Sequence, residues 1–125
     1  TCLFSAAMEK IKCICVMGDL YRSLALLETR LSETYGLSLN EAMVLCSIGE
    51  ETVMAGVVVE RTGLTASHAS KMIRSVEEKG LLVRTLGEKD KRQMYFALTD
   101  KAKEKLEDIR KHGIEIPDLL LPFFQ

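Results

Sequence analysis

The sequence lacks any apolar run long enough to cross a membrane. Its longest such run, residues 53–59, is far short of the roughly 20 residues that a spanning helix needs. The first residues also lack the basic region, apolar region and small-residue cleavage site that together mark a signal peptide. We therefore expect a cytoplasmic protein with no membrane partner.

Cysteine is scarce, with only Cys2, Cys13, Cys15 and Cys46 in the chain. Four cysteines in a chain of this length are not the framework of a disulfide scaffold. On one helix, Cys13 and Cys15 would point about 200° apart, which argues against a bridge between them. The cysteine content therefore fits a reducing cytosol.

Motifs for catalysis and metal binding are also missing. The two histidines, His68 and His112, fall on different predicted elements, whereas a zinc site needs three or four converging ligands. The chain has no glycine-rich phosphate loop and no nucleophile–base spacing. The sequence therefore predicts no catalytic residue, no metal, no cofactor and no enzymatic activity.

The chain has no overall charge of one sign, since 17 Lys and Arg residues face 18 Asp and Glu residues. This balance argues at first against nucleic-acid binding, because such domains usually carry a basic surplus. The net charge is nevertheless −4 over residues 1–60, +4 over residues 61–92 and −1 over residues 93–125. The average therefore conceals a basic middle third, which is either a nucleic-acid surface or a solvated run of charges.

Apolar residues at helical spacing predict a mainly helical chain. Leu20, Leu24, Leu27 and Leu31 form such a stripe within a proline-free stretch over about residues 5–35, where Gly18 marks a bend or the helix start. A capping box over residues 38–41 opens a short helix that ends at residue 49, and a second short helix covers residues 54–62. Thr65 is a suitable N-cap for a further helix that ends at residue 79.

After Gly80 the spacing of apolar residues changes from 3.6 residues, which is typical of a helix, to every second residue, which is typical of a strand. Residues 82–86 and 93–98 are predicted as strands, joined by a polar loop over residues 87–92. Thr99 then caps a last helix, which ends at residue 113 and is followed by an apolar tail. The hairpin therefore follows the basic helix directly and has a basic tip.

This order of elements predicts a mainly α fold with a small β-hairpin wing, a winged helix-turn-helix over residues 38–98. In that geometry the second helix of the pair, residues 66–79, enters the major groove of DNA. Small hydroxyl side chains let a helix approach the groove closely, and basic side chains supply charge. The predicted DNA-facing residues of this helix are Thr65, Ser67, His68, Ser70, Lys71 and Arg74, with a solvated helix surface as the alternative for the serines and a capping role as the alternative for His68.

Four fragments in register resemble the MarR family of bacterial transcription regulators: residues 64–71, residues 77–84, Asp90-Lys91-Arg92-Gln93, and Leu98-Thr99. The resemblance covers roughly residues 20–112. It implies a homodimer that binds a pseudo-palindromic operator in double-stranded DNA, usually as a repressor released by a small ligand or an oxidant. It also implies that Arg92 serves the wing, that Asp90 orients Arg92 through an ion pair, and that Lys89 and Lys91 lie near phosphate or the minor groove.

The resemblance assigns dimerisation to both ends of the chain, residues 1–37 and residues 99–125. Large apolar residues at a terminus would form an exposed patch in a monomer, which independently favours burial against a second copy. The alternative is that the tail folds back on its own chain. The predicted dimerisation residues are Met8, Ile11, Leu119, Leu120, Leu121, Phe123 and Phe124.

Two alternatives remain open. A winged helix also serves as a protein-interaction module without sequence-specific DNA binding. One branch of the MarR family senses peroxides with a cysteine in the first helix, so Cys13 or Cys15 is a candidate redox residue. Reactive thiols need access and a lowered pKa, and the neighbouring Ile14, Val16 and Met17 predict an apolar setting that disfavours this.

Overall fold

The computed structural model describes the backbone of residues 9–124 and the side chains of residues 12–124. In chain order the elements are α1 (Glu9–Tyr35), α2 (Leu39–Ile48), β1 (Thr52–Met54), α3 (Ala55–Thr62), α4 (Ala66–Glu78), β2 (Leu82–Leu86), β3 (Met94–Leu98), α5 (Asp100–His112) and a 3-10 helix (Asp118–Phe124). The predicted fold class, mainly α with a small β wing, is confirmed. Within the described residues, no helix is both long and apolar enough to cross a membrane.

The ends of the helices lie where local signals predict them. The Ser38 hydroxyl accepts the Glu41 N–H at 3.1 Å, and the Glu41 carboxylate accepts the Ser38 N–H at 2.8 Å, so the predicted capping box is present. Thr65 and Thr99 cap α4 and α5 through their side-chain oxygens. Helix α1 continues through Gly18, so this glycine is not its start.

The wing belongs to an antiparallel sheet of three strands in the order β1-β3-β2. Strands β2 and β3 form the predicted hairpin, with Leu82 opposite Leu98. Strand β1 was not predicted from the sequence, which indicated only a helix near this position. Its three residues are too few to show an alternating pattern, and the strand forms because Val53 pairs with Phe96, far away along the chain.

The described part of the chain divides into two compact units, of which the first comprises residues 9–36 and 114–124. In this unit α1 contacts the 3-10 helix, and Leu27, Leu31 and Leu120 are buried. The Arg30 guanidinium donates a hydrogen bond to the Glu115 carbonyl oxygen at 2.7 Å. The C-terminal segment is therefore held against the long helix of its own chain.

The second unit, residues 37–113, contains the helix-turn-helix, the sheet and α5. Its largest fully buried side chains are Leu37, Val44, Leu45, Ile48, Val58, Val76 and Leu81. The sequence grouped residues 99–112 with the C-terminal dimerisation region, whereas the structure joins α5 to the second unit. The physical reason is that Ala102 is fully buried there and the Thr99 hydroxyl donates to the Gly80 carbonyl oxygen at 2.9 Å.

Candidate nucleic-acid interface

The turn between α3 and α4 is closed by three neighbouring residues. Gly63 has φ +75°, a left-handed conformation that favours glycine. The Thr62 hydroxyl donates to the Val58 carbonyl oxygen at 2.7 Å and accepts the Leu64 N–H at 3.3 Å. Val58 is fully buried below the turn. Contacts between residues close in the sequence therefore set where α4 begins.

Helix α4 has a buried face and an exposed face. Ala69, Ile73 and Val76 are buried. At about 100° per residue, the side chains at positions 67, 70, 71 and 74 fall within an arc of about 100°, roughly opposite the buried stripe. The residues of this exposed α4 face are Ser67, Ser70, Lys71 and Arg74, and the N-cap residue Thr65 is exposed as well. Five of the six residues predicted for this helix are thus exposed to solvent together.

His68 differs from the other five. Its ring is half-buried, its Nε2 atom lies 3.4 Å from the Asn40 Nδ2 atom, and its backbone N–H donates to the Thr65 hydroxyl. Its position on α4 is turned by about 110° from the middle of the exposed α4 face. The His68 side chain therefore contacts α2, and its backbone N–H is capped by Thr65. That His68 contacts DNA stays a prediction.

The loop at the tip of the wing, residues 87–92, exposes three cationic side chains: Lys89, Lys91 and Arg92. The Asp90 carboxylate accepts the Arg92 backbone N–H at 2.9 Å and the Arg92 Nε–H at 3.2 Å. The Arg92 side-chain hydrogen bond, together with the backbone one, holds the pKa of Asp90 below its usual range. The ion pair that the family resemblance implies is therefore present, and the Arg92 side chain remains 92% exposed.

The eight basic residues of segment 61–92 divide into two groups of four. Four form ion pairs: Arg61 with Glu51, Lys79 with Glu41, Arg84 with Glu77, and Arg92 with Asp90. Within the described part of the chain, the other four have no acidic partner, and they are Lys71 and Arg74 on α4 and Lys89 and Lys91 in the wing loop. Glu88, exposed in the same loop, offsets part of this charge. The uncompensated cations thus lie on the exposed α4 face and in the wing loop.

The structure adds a cluster that sequence reasoning missed. The buried Glu41 carboxylate accepts hydrogen bonds from the Ser75 hydroxyl and from the Lys79 ammonium, the latter at 2.8 Å. Burial raises the pKa of Glu41, but the hydrogen bonds from Lys79, the Ser38 amide and Ser75, with the Lys79 charge, outweigh it and lower the pKa to about 2. The sequence assigned Glu41 only to a helix cap, because nothing local indicates which distant side chains meet it.

A second contact ties α4 to the wing. The Arg84 guanidinium donates two hydrogen bonds to the Glu77 carboxylate, at 2.9 and 2.8 Å. The same guanidinium lies over the Phe96 ring, 5.4 Å from its centroid. The C-terminal half of α4 is therefore linked to β2 on one side and to α2, through Glu41, on another.

The predicted dimerisation residues divide by exposure in the first unit. Leu120 is buried within its own chain, whereas its predicted companions Leu119, Leu121, Phe123 and Phe124 are exposed. Met8 and the side chain of Ile11 lie outside the described residues. Helix α1 also has an exposed apolar stripe, which consists of Ile14, Met17, Tyr21 and Leu24 at spacings of three, four and three. The sequence placed only Leu24 of these four in an apolar stripe, the one with Leu27 and Leu31.

The two candidate redox cysteines lie on α1, with Cys13 exposed and Cys15 half-buried. Ile14, Val16 and Met17, which predicted an apolar setting, are themselves exposed in the single chain. Neighbouring side chains of the same helix therefore do not bury Cys13. That Cys13 or Cys15 responds to an oxidant stays a prediction.

Comparison with known proteins agrees with this geometry. A family model described as transcriptional regulator SarA/Rot matches residues 27–109. The HTH-type transcriptional regulator YwaE of Bacillus subtilis is 25% identical over 104 residues, which are 79% of this chain and 61% of YwaE. The chain thus spans less than two thirds of the length of this relative.

Two solved structures show the same fold. The transcriptional regulator BldR from Sulfolobus solfataricus superposes with a TM-score of 0.67 at 25% identity, over 86% of this chain and 78% of BldR. AbsC, a MarR family regulator from Streptomyces coelicolor, gives 0.66 at 20% identity, over 90% of this chain and 77% of AbsC. The chain therefore belongs to the SarA/Rot family of transcriptional regulators and has the winged helix-turn-helix fold of MarR-type regulators.

Proposed function

We propose that this protein binds double-stranded DNA sequence-specifically, with α4 in the major groove and the wing loop, residues 87–92, on the minor groove or backbone. The observation that carries this proposal is the distribution of uncompensated cations. Acidic partners neutralise half of the basic residues in segment 61–92. Among the described residues, those left without an acidic partner are Lys71, Arg74, Lys89 and Lys91. A DNA backbone would supply negative charge to these four positions.

The serines of the exposed α4 face support the same proposal. The side chains of Ser67 and Ser70 make no hydrogen bond within the described chain, whereas Ser75 on the inner side of α4 donates to Glu41. Small side chains with unused hydroxyl groups allow close approach to the groove and can bond phosphates or base edges. A face built only to dock a protein does not need this combination of hydroxyl and basic groups.

A salt titration with two DNA duplexes tests DNA binding. One duplex is selected from a random pool with the wild-type protein, and the other is a scrambled duplex of the same composition. We expect the selected duplex to bind at least about 10³-fold more tightly, and affinity to fall steeply with salt as phosphate counterions are released. Equal affinity for both duplexes would contradict the proposal and would favour a protein-interaction module instead.

We further propose that the protein acts as a homodimer formed through its first unit. The exposed apolar side chains of α1 and of the 3-10 helix are the support, because a monomer rarely keeps so many large apolar groups in water. Two copies would place two α4 helices on half-sites about one helical turn apart. The modest charge of +4 in segment 61–92 of each copy also fits binding that needs both half-sites.

Repression, a cytoplasmic location, and release of DNA by a small ligand or an oxidant are proposed on the family resemblance. The exposed Cys13 makes the oxidant the version to test first. We expect a redox-sensing protein to lose affinity for the selected duplex after peroxide treatment, and Cys13→Ser or Cys15→Ser to prevent that loss. Affinity that peroxide leaves unchanged in the wild type would remove the redox proposal.

A further inference from the structure

Glu41 is the one charged side chain buried in the part of the chain that the structure describes, with 4% of its surface exposed. Taking a carboxylate out of water is costly unless charge and hydrogen bonds compensate for the lost hydration. Here compensation comes from two elements. The Ser38 amide belongs to the cap of α2, and the Ser75 hydroxyl and the Lys79 ammonium come from the C-terminal end of α4.

The two partners on α4 are four residues apart, so they lie one above the other on the side of the helix that faces α2. Counted around the helix, Ser75 lies about 90° and Lys79 about 130° from the middle of the exposed α4 face. Glu41 therefore bonds α4 outside the arc of about 100° that carries the candidate DNA contacts. It is itself held in place by the start of α2.

We propose that Glu41 is a positioning residue for DNA binding, which fixes the rotation and axial register of α4 against α2. This inference rests on the proposed function. The apolar contacts of Ala69, Ile73 and Val76 hold the helices together, but hydrophobic attraction is not directional. A slip of one residue would turn α4 by about 100° and move Arg74 out of the exposed arc. Two directional hydrogen bonds to one buried carboxylate oppose that slip.

The Glu41→Gln variant gives the sharpest test, because two explanations predict opposite signs. Glutamine has nearly the same shape, and its amide oxygen can still accept the Ser38 N–H, but it has no charge to pair with the Lys79 ammonium. Its NH2 group also takes the place of the oxygen that accepts the Ser75 hydroxyl. If Glu41 acted only through its long-range charge, removing that charge would tighten binding to all DNA. If Glu41 positions α4, affinity for the selected duplex falls while affinity for the scrambled duplex does not.

Two further variants probe the same contacts from α4. Ser75→Ala removes one hydroxyl and no charge. Lys79→Met removes the ammonium, and Lys103→Met is its matched control, because both lysines pair with a glutamate and their side chains are 42% and 40% exposed. Lys103 lies on α5 and its partner Glu50 lies outside α4, so only Lys79→Met disturbs the attachment of α4 to α2.

The readout is the ratio of affinities for the selected and the scrambled duplex, measured by fluorescence anisotropy, with folding checked by circular dichroism. We expect Glu41→Gln, Ser75→Ala and Lys79→Met each to lower this ratio about tenfold, the size of one lost base contact, and Lys103→Met to leave it unchanged. If Glu41→Gln does not fold, the ratios of the two α4 variants decide the test.

Three other results would overturn the inference in distinguishable ways. Ratios equal to that of the wild type in all folded variants would show that Glu41 stabilises the unit without positioning α4. An equal fall for Lys103→Met and Lys79→Met would assign the effect to net charge. A wild-type protein that selects no duplex would refute the proposed function, and the inference with it.

Discussion

At the scale of the residue, pairing with an acidic side chain decides how much of a basic residue's charge is left for a binding partner. Arg61 and Arg84 are each held by two hydrogen bonds to a glutamate carboxylate, whereas Lys71 and Arg74 project into solvent. The same residue types therefore have different roles in one short segment. The sequence shows the basic surplus, but it does not show which members are already neutralised.

The first prediction separates base reading from backbone binding. Lys71→Ala should lower affinity for the selected duplex by about 1–3 kcal/mol and relax specificity, because Lys71 lies on the exposed α4 face. Lys91→Ala removes a wing-loop cation that has no acidic partner in the described part of the chain. It should weaken binding to selected and scrambled duplexes evenly and reduce the salt slope by about one unit. Anisotropy titrations at three salt concentrations measure both effects. Variants that bind like the wild type would refute these two roles.

The second prediction concerns acid stability and Glu41. Its pKa in the fold is about 2, against an ordinary value of 4.5, so its stabilising contribution is present at neutral pH and is lost as pH falls below 4.5. We expect the stability difference between the wild type and Glu41→Gln to shrink by about 2 kcal/mol between pH 6 and pH 3.

Urea unfolding at several pH values measures this difference. The control is Glu50→Gln, whose carboxylate belongs to an exposed pair with Lys103 and whose contribution is therefore small. If the difference in unfolding free energy between the wild type and Glu41→Gln stayed constant over this pH range, the Glu41 carboxylate would not be the source of the predicted pH dependence.

At the scale of the element, the wing loop depends on close contact between its two ends. The Gly87 N–H donates to the Gln93 carbonyl oxygen at 2.8 Å, and a Cβ atom at Gly87 would lie only 2.6 Å from the Asp90 carbonyl oxygen. Because that atom is backbone, the loop itself would have to move. The same loop holds Asp90 and Arg92 in their ion pair, so the glycine also supports the wing contacts.

The third prediction follows from this contact. Gly87→Ala should destabilise the protein by about 1–3 kcal/mol and weaken DNA binding, since overpacking forces the backbone to shift. Gly56→Ala is the control, because nothing lies within 4 Å of a Cβ there and alanine favours a helix such as α3. Thermal unfolding of both variants should therefore give shifts of opposite sign. A Gly87→Ala variant as stable as the wild type would contradict the argument.

At the scale of the whole molecule, the two units differ in what they leave exposed. The second unit exposes hydroxyl and basic groups on α4 and in the wing loop. The first unit exposes large apolar side chains on α1 and the 3-10 helix, with Met17 66% and Phe123 76% exposed. This contrast fits the two partners proposed above, DNA for the second unit and a second copy of the chain for the first.

The fourth prediction tests the second copy. We expect the wild type to have the mass of a dimer in multi-angle light scattering, and the double variant Met17→Ser with Phe123→Ser to shift toward the monomer as concentration falls. Leu86→Ser is the matched control, because it removes a comparably exposed apolar side chain from β2 in the other unit. A monomeric wild type would refute the proposed homodimer, and loss of the dimer in the control would refute its assignment to the first unit.

The sequence by itself determined the elements whose signals are local. Helix ends at Ser38, Thr65 and Thr99 depend on side chains within a few residues of the chain, and the period change after Gly80 marks the hairpin. The recognition helix and the wing loop follow from these signals. The exposed positions on α4 could also be predicted, because a helix with one apolar stripe must direct its other residues to solvent.

Only the tertiary structure decided what depends on residues distant in sequence. It added β1 through pairing with β3, joined α5 to the helix-turn-helix unit, and turned His68 toward Asn40. It also selected which cations are neutralised and placed Glu41 between α2 and α4. The physical reason is that an ion pair, a strand pairing or a buried carboxylate forms when folding brings its groups together, and spacing along the chain does not show which groups will meet.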